Sequence, residues 1–160
     1  MSELPKEEWA PGPWHDEPDR VVFEHAGYPC ILNRGPLGSW CGYVGVPEGH
    51  PWFGKRYDDV EADVHGGLTY ARPCQGDVCH AAPEPRYWLG FDCSHYRDLV
   101  PGLEALLAES REKMGRPQVD KGKFGVTYKD VGYVRAETES LAEQAAQAGM
   151  PRAKREGGST

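Results

Sequence analysis

The stretch Tyr87–Asp98, YWLGFDCSHYRD, constrains the fold of this chain more than any other. Tyr87, Trp88, Leu89 and Phe91 are aromatic or apolar and read as a buried strand, with Gly90 where a neighbouring backbone comes close. Asp92, Cys93, His95 and Asp98 follow at once, and a helical pattern begins directly after them. Functional groups often sit where a strand gives way to a helix, because the strand fixes them and the loop exposes them.

Upstream, Arg20–His25 and Tyr28–Asn33 flank an Ala26-Gly27 turn and predict a hairpin. Ser39–Val46 predicts a third strand after the turn at 34–38, with Gly42 and Gly45 marking a bulge or a close approach. Pro47–Arg56 is a loop. Tyr57–His65 alternates, Val60, Ala62 and Val64 against Asp59, Glu61, Asp63 and His65, and predicts a strand with one acidic face. Leu68–Ala71 predicts a short strand, and Arg72–Arg86 a loop. Asp98 is expected to cap a helix carrying Leu99, Leu103, Leu106, Leu107 and Met114, ended by Gly115 and Pro117. A second helix is expected near Tyr133–Ala148, with Val134, Leu141 and Ala145 inward. The fold class is therefore α+β: a mostly antiparallel sheet of about five or six strands with two C-terminal helices packed on it.

At 160 residues the chain predicts one domain over 20–149. It is preceded by a Pro-rich acidic arm, 1–19, and followed by a disordered tail, 150–160. Trp9 and Trp14 in the arm are expected to dock on the domain or on a partner. The net charge of −7 argues against nonspecific nucleic-acid binding through the overall field. No apolar run reaches the ~18 residues of a membrane span, and the N-terminus lacks the apolar core of a signal peptide. Together these predict a cytoplasmic protein with no membrane partner. Five cysteines, an odd number, make a disulfide framework the poorer reading.

Five constellations carry chemistry. His50, His65, Asp92, His95 and Asp98 all fall at strand ends or loops, where they could hold a divalent ion or supply a base and its orienting partner. The plain alternative makes Asp98 a helix cap, Asp92 a turn residue and His95 a satisfied polar group. Cys74, Cys79 and Cys93 with His80 or His95 could hold a structural zinc, although no CxxC is present. Cys93 and His95 would lie on one side of an extended chain, as nucleophile and base would need. The acidic face of Tyr57–His65 suits solvent or a cation. Trp40, Trp52, Tyr70, Trp88 and Tyr96, with Lys55 and Arg56 near Trp52, could clamp a nucleotide-like ligand or line the core. Neither GxGxxG nor GxxxxGKS occurs, which argues against the usual dinucleotide and P-loop sites.

Gly27–Pro29, Cys41–Pro51 (CGYVGVPEGHP), Tyr57–Tyr70 (YDDVEADVHGGLTY), Trp88–Asp98 and Gly132–Gln144 (GYVRAETESLAEQ) resemble a family of small uncharacterised proteins of bacteriophages, prophages and actinobacterial genomes. Cys74–His80 (CQGDVCH) resembles a segment of part of that family. The resemblance covers about residues 20–148. It implies a phage or mobile-element setting and an accessory or host-takeover role, and it brings no activity with it.

Three functions follow as expectations. The first is a binding protein with a pocket of His50, Trp52, His65, Thr69, Asp92, His95 and Asp98. It would take a small-molecule ligand or a host protein, for example to sequester a nucleotide signal in counter-defence. The second is a metal-dependent hydrolase using the same His and Asp groups. The third is a plain protein-interaction module presenting Trp9 and Trp14.

Overall fold

The computed structural model describes residues 5–73, 86–95, 97–119 and 125–150. Five strands form one antiparallel sheet: β1 (Arg20–His25), β2 (Tyr28–Arg34), β3 (Trp40–Pro47), β4 (Tyr70–Pro73) and β5 (Arg86–Asp92). Two helices follow, α1 (Pro101–Lys113) and α2 (Val131–Gly149). The strand order is β1-β2-β3-β5-β4, so β5 inserts between β3 and β4 and leaves β4 on an edge. The first hairpin turns on Ala26 and Gly27, both with positive φ (54° and 88°), the geometry that matches the twist of the flanking strands.

Along β5, Leu89 faces Val44 and Phe91 faces Gly42 in the register with β3. Cys30, Leu32, Val44, Val46, Leu89 and Phe91 form the floor of the main core. Helix α2 lies across that floor. Val134, Thr138, Leu141, Ala142 and Ala145 are its buried positions, one stripe at helical spacing. The stripe is mostly small, and Gly42 beneath it carries no side chain. A Cβ there would fall 2.2 Å from Thr138 Oγ1 and 2.7 Å from Phe91 Cε1, so the helix can sit this low only over glycine. Full burial of a residue such as Leu141 contributes about 1.5–3 kcal/mol. The start of α2 is fixed twice: Asp130 accepts from Tyr133 N at 2.8 Å, and Glu17 Oε2 accepts from Val131 N at 2.8 Å.

Two expectations change. The alternation in Tyr57–His65 does not make a strand. A short 3-10 turn covers Tyr57–Asp59, and 60–65 pairs with no strand among the described residues. Val60 and Val64 are buried as the pattern requires. The backbone, however, is met by α2 side chains: Gln144 accepts from Asp63 N at 2.7 Å and donates to Asp63 O at 2.8 Å. Glu137 Oε1 accepts from His65 N at 2.8 Å. Nor does Asp98 cap α1. Pro101 is the first helical residue and Val100 stands at the cap without a side-chain bond. The residue before a proline is driven extended, which delays the helix and releases Asp98 for other partners.

The arm docks on the domain, with Trp9 and Trp14 both buried. Trp14 packs edge-on against Tyr128 at 5.0 Å. Helix α1 joins the body at its first turn, where Gly102 N donates to Leu37 O at 2.6 Å.

Candidate functional site

Asp98 is the centre of the site. Its side chain is 1% exposed. His65 Nε2 lies 2.9 Å from Oδ1 and 2.8 Å from Oδ2, His95 N donates to Oδ2 at 2.9 Å, and Lys129 Nζ lies 3.2 Å from Oδ1. Burial pushes this carboxyl up, but the bonds from His65, His95 N and Lys129 outweigh it and hold it below the ordinary carboxylate range. The loop placement has one local and one distant source. Asp98 N closes a turn onto His95 O at 2.9 Å, and Leu99 N donates to Thr127 O at 2.8 Å, which brings the segment before α2, and Lys129 with it, against Asp98.

His65 is engaged at both nitrogens. With Nε2–H directed at Asp98, Nδ1 accepts from Tyr133 Oη at 2.8 Å. The chain Asp98–His65–Tyr133 thus runs from a buried carboxylate to a tyrosine that is 39% exposed. The Tyr133 hydroxyl is raised by burial first, then by Glu137, Cys93 and Asp98, so it acts as a proton donor rather than a phenolate.

No family model, curated protein or solved structure matches this chain.

Beside the chain sits a second histidine–carboxylate pair. His95 Nε2 is 3.3 Å from Asp92 Oδ1, outside hydrogen-bond alignment, and is otherwise unpartnered. Its ring packs on the Gly66 backbone and lies 5.8 Å from the ring of His65. Asp92 makes a turn with Ser94 N at 3.2 Å and accepts from Thr69 Oγ1 at 3.0 Å.

Of the predicted pocket, the structure therefore brings together His65, Thr69, Asp92, His95 and Asp98. His50 and Trp52 sit elsewhere, at the C-terminal end of α2. His50 Nε2 donates to Ala145 O at 2.8 Å and Nδ1 accepts from Trp52 N at 3.0 Å. Both ring nitrogens are spent on backbone, and burial lowers the pKa of this imidazole against the opposing pull of the Ala145 carbonyl.

Within the proposed zinc set, Cys74, Cys79 and His80 lie outside the described residues. Cys93 is 1% exposed, and its thiol is pushed far up by burial, with Asp98, Cys41 and Asp92 adding to the shift. That removes it as a nucleophile. The pairing with His95 also fails geometrically, because the chain turns at Asp92–Ser94 and is no longer extended. Among the described residues, no three His, Cys, Asp or Glu side chains are grouped to hold a metal ion. Nor is any helix among them long and apolar enough to cross a membrane.

Sequence reasoning missed Lys129, Tyr133 and Glu137. A signal was present: Asp130 as a cap places Tyr133 in the first turn of α2, with Glu137 four residues on along the same face.

Proposed function

We propose that the protein is a binding protein, with its recognition surface where the 60–69 loop, Asp92, His95 and Asp98 meet the start of α2. In the phage or mobile-element setting that the sequence resembles, it would capture a small polar ligand, such as a nucleotide signal, or a host protein. One observation carries the reading: His65 and Asp98, the central groups that a hydrolase would keep available, are committed internally. Both nitrogens of His65 are bonded, and the Asp98 carboxylate already serves His65, His95 N and Lys129. Such a network fixes loops more readily than it activates water. The burial of Trp9 and Trp14 speaks against an interaction module presented by the arm.

Native mass spectrometry of the full chain purified without added metal, with elemental analysis of the same sample, tests this. The expected result is a small-molecule mass retained by the folded protein and no stoichiometric divalent ion that depends on His65. One ion per chain that disappears in His65→Ala would replace the reading with the hydrolase. A bare chain would count against small-molecule capture and leave the host protein as target.

A further inference from the structure

Next to the cluster, between β4 and the loop ahead of residue 57, lies a hollow of about 270 Å³. Thr69 belongs to both places, since it lines the hollow and its hydroxyl holds Asp92 at 3.0 Å. The Tyr87 hydroxyl bridges the carbonyls of Lys55 and Ala71 and so ties the loop to the strand. Tyr57, 46% exposed, and Tyr70, packed edge-on against Tyr43 at 5.1 Å, supply aromatic surface. Arg56 and Arg72 supply charge. The Arg72 guanidinium lies 5.8 Å from the Tyr70 ring centroid, and no ion pair joins it to a described residue. Arg56 has only a 3.4 Å pair with Asp58, both side chains being exposed.

We propose that this hollow binds a small anion carried on a planar ring, of the nucleoside monophosphate class. The inference rests on the binding reading above. Size sets one limit: small-molecule sites usually run from about 300 to 1,000 Å³, so this one, at about 270 Å³, suits one nucleoside with a single phosphate and nothing larger. Charge sets the other. On a chain of net charge −7, this hollow sets two guanidinia beside two tyrosines. Guanidinium forks match phosphate oxygens, and tyrosine faces stack on a base.

Proton–nitrogen correlation NMR of the full chain, titrated separately with adenosine monophosphate, adenosine and inorganic phosphate, tests the proposal. Adenosine monophosphate should shift the signals of Tyr57 and Thr69 to Arg72. The Arg56→Gln/Arg72→Gln variant should bind it roughly tenfold more weakly, with its other signals in place. Phosphate binding as tightly as the nucleotide would overturn the ring-bearing class. Shifts confined to another surface, or undiminished affinity in the double variant, would overturn the hollow while leaving the binding reading standing. No shifts with any probe would also overturn the hollow. The binding reading is decided separately, by the retained mass in native spectrometry.

Discussion

Arg34 Nη2 donates to Glu17 Oε1 at 2.9 Å, with only 3% of the arginine side chain and 9% of the glutamate exposed. The same Arg34 lies 4.5 Å from the Trp40 ring centroid and donates to Gly38 O, and the same Glu17 accepts from Tyr128 and from Val131 N. One ion pair thus joins the arm, β2, the loop ahead of α2 and the start of α2.

Removing the acid should strand the base. Glu17→Ala leaves Arg34 buried with only the more exposed Asp19 to neutralise it. The expected loss is about 3 kcal/mol, the usual scale for breaking a buried pair. Urea unfolding reads it as a lower midpoint, and an unchanged midpoint would mean the arm contributes no stability.

Asp98→Asn keeps the shape and removes the charge that His65 and Lys129 share. Stability should drop by about 1–3 kcal/mol at neutral pH. The acid limb should change too. Because the folded carboxyl sits below its ordinary range, its contribution is present above the unfolded value of about 3.9 and is lost as pH falls through the lower folded value. The gap between wild type and variant should therefore shrink below about pH 4. A gap that stays constant with pH would show that the ion pairs do not stabilise the fold.

His50 predicts a second pH dependence, nearer neutrality. Its folded pKa is lowered, so the unfolded chain binds the proton first. Stability from the neutral ring is complete above the unfolded value of about 6.5 and declines as pH falls below it, until the lower folded value is reached. Thermal midpoints measured from pH 7.5 to pH 5 should fall more steeply in wild type than in His50→Gln; equal slopes would disprove this.

Gly42→Ala puts a methyl where Thr138 and Phe91 already stand. Overpacking of this kind costs about 1–3 kcal/mol. Adding Thr138→Ala removes the nearer clash and should return part of the loss. A double-mutant cycle checks this, and strict additivity would mean that α2 does not press on β3 at this point.

Much of the sheet was legible because its signals are local. β1, β2 and β3 are contiguous runs joined by short turns, and their pairing follows from chain order. The burial of Val60 and Val64 was legible as well, since period-two alternation reports which face is covered. It does not report by what, and here the cover is a helix about 80 residues away in sequence. The capping role expected of Asp98 failed for a related reason: a capping residue type before a helix is a strong signal, but Pro101 moved the helix start beyond its reach. Glu17 and Arg34 carried no signal, because polar residues in an arm and at a strand end look solvated until the fold encloses them. His50 and His65 are the same residue type in similar loops, and only the tertiary neighbours separate a backbone clamp from a site residue.

The segment 60–65 differs from the strands in what specifies it. A ladder of backbone amides is indifferent to residue identity, so the sheet can outlast almost any drift in its surface sequence. The backbone of this segment is instead met by two individual side chains, Gln144 and Glu137, above the buried Val60 and Val64. Its address on the protein is therefore written in two codons of a distant helix. Change at those codons can move His65 relative to Asp98 while the scaffold persists, so the proposed recognition surface can be altered without unmaking the sheet.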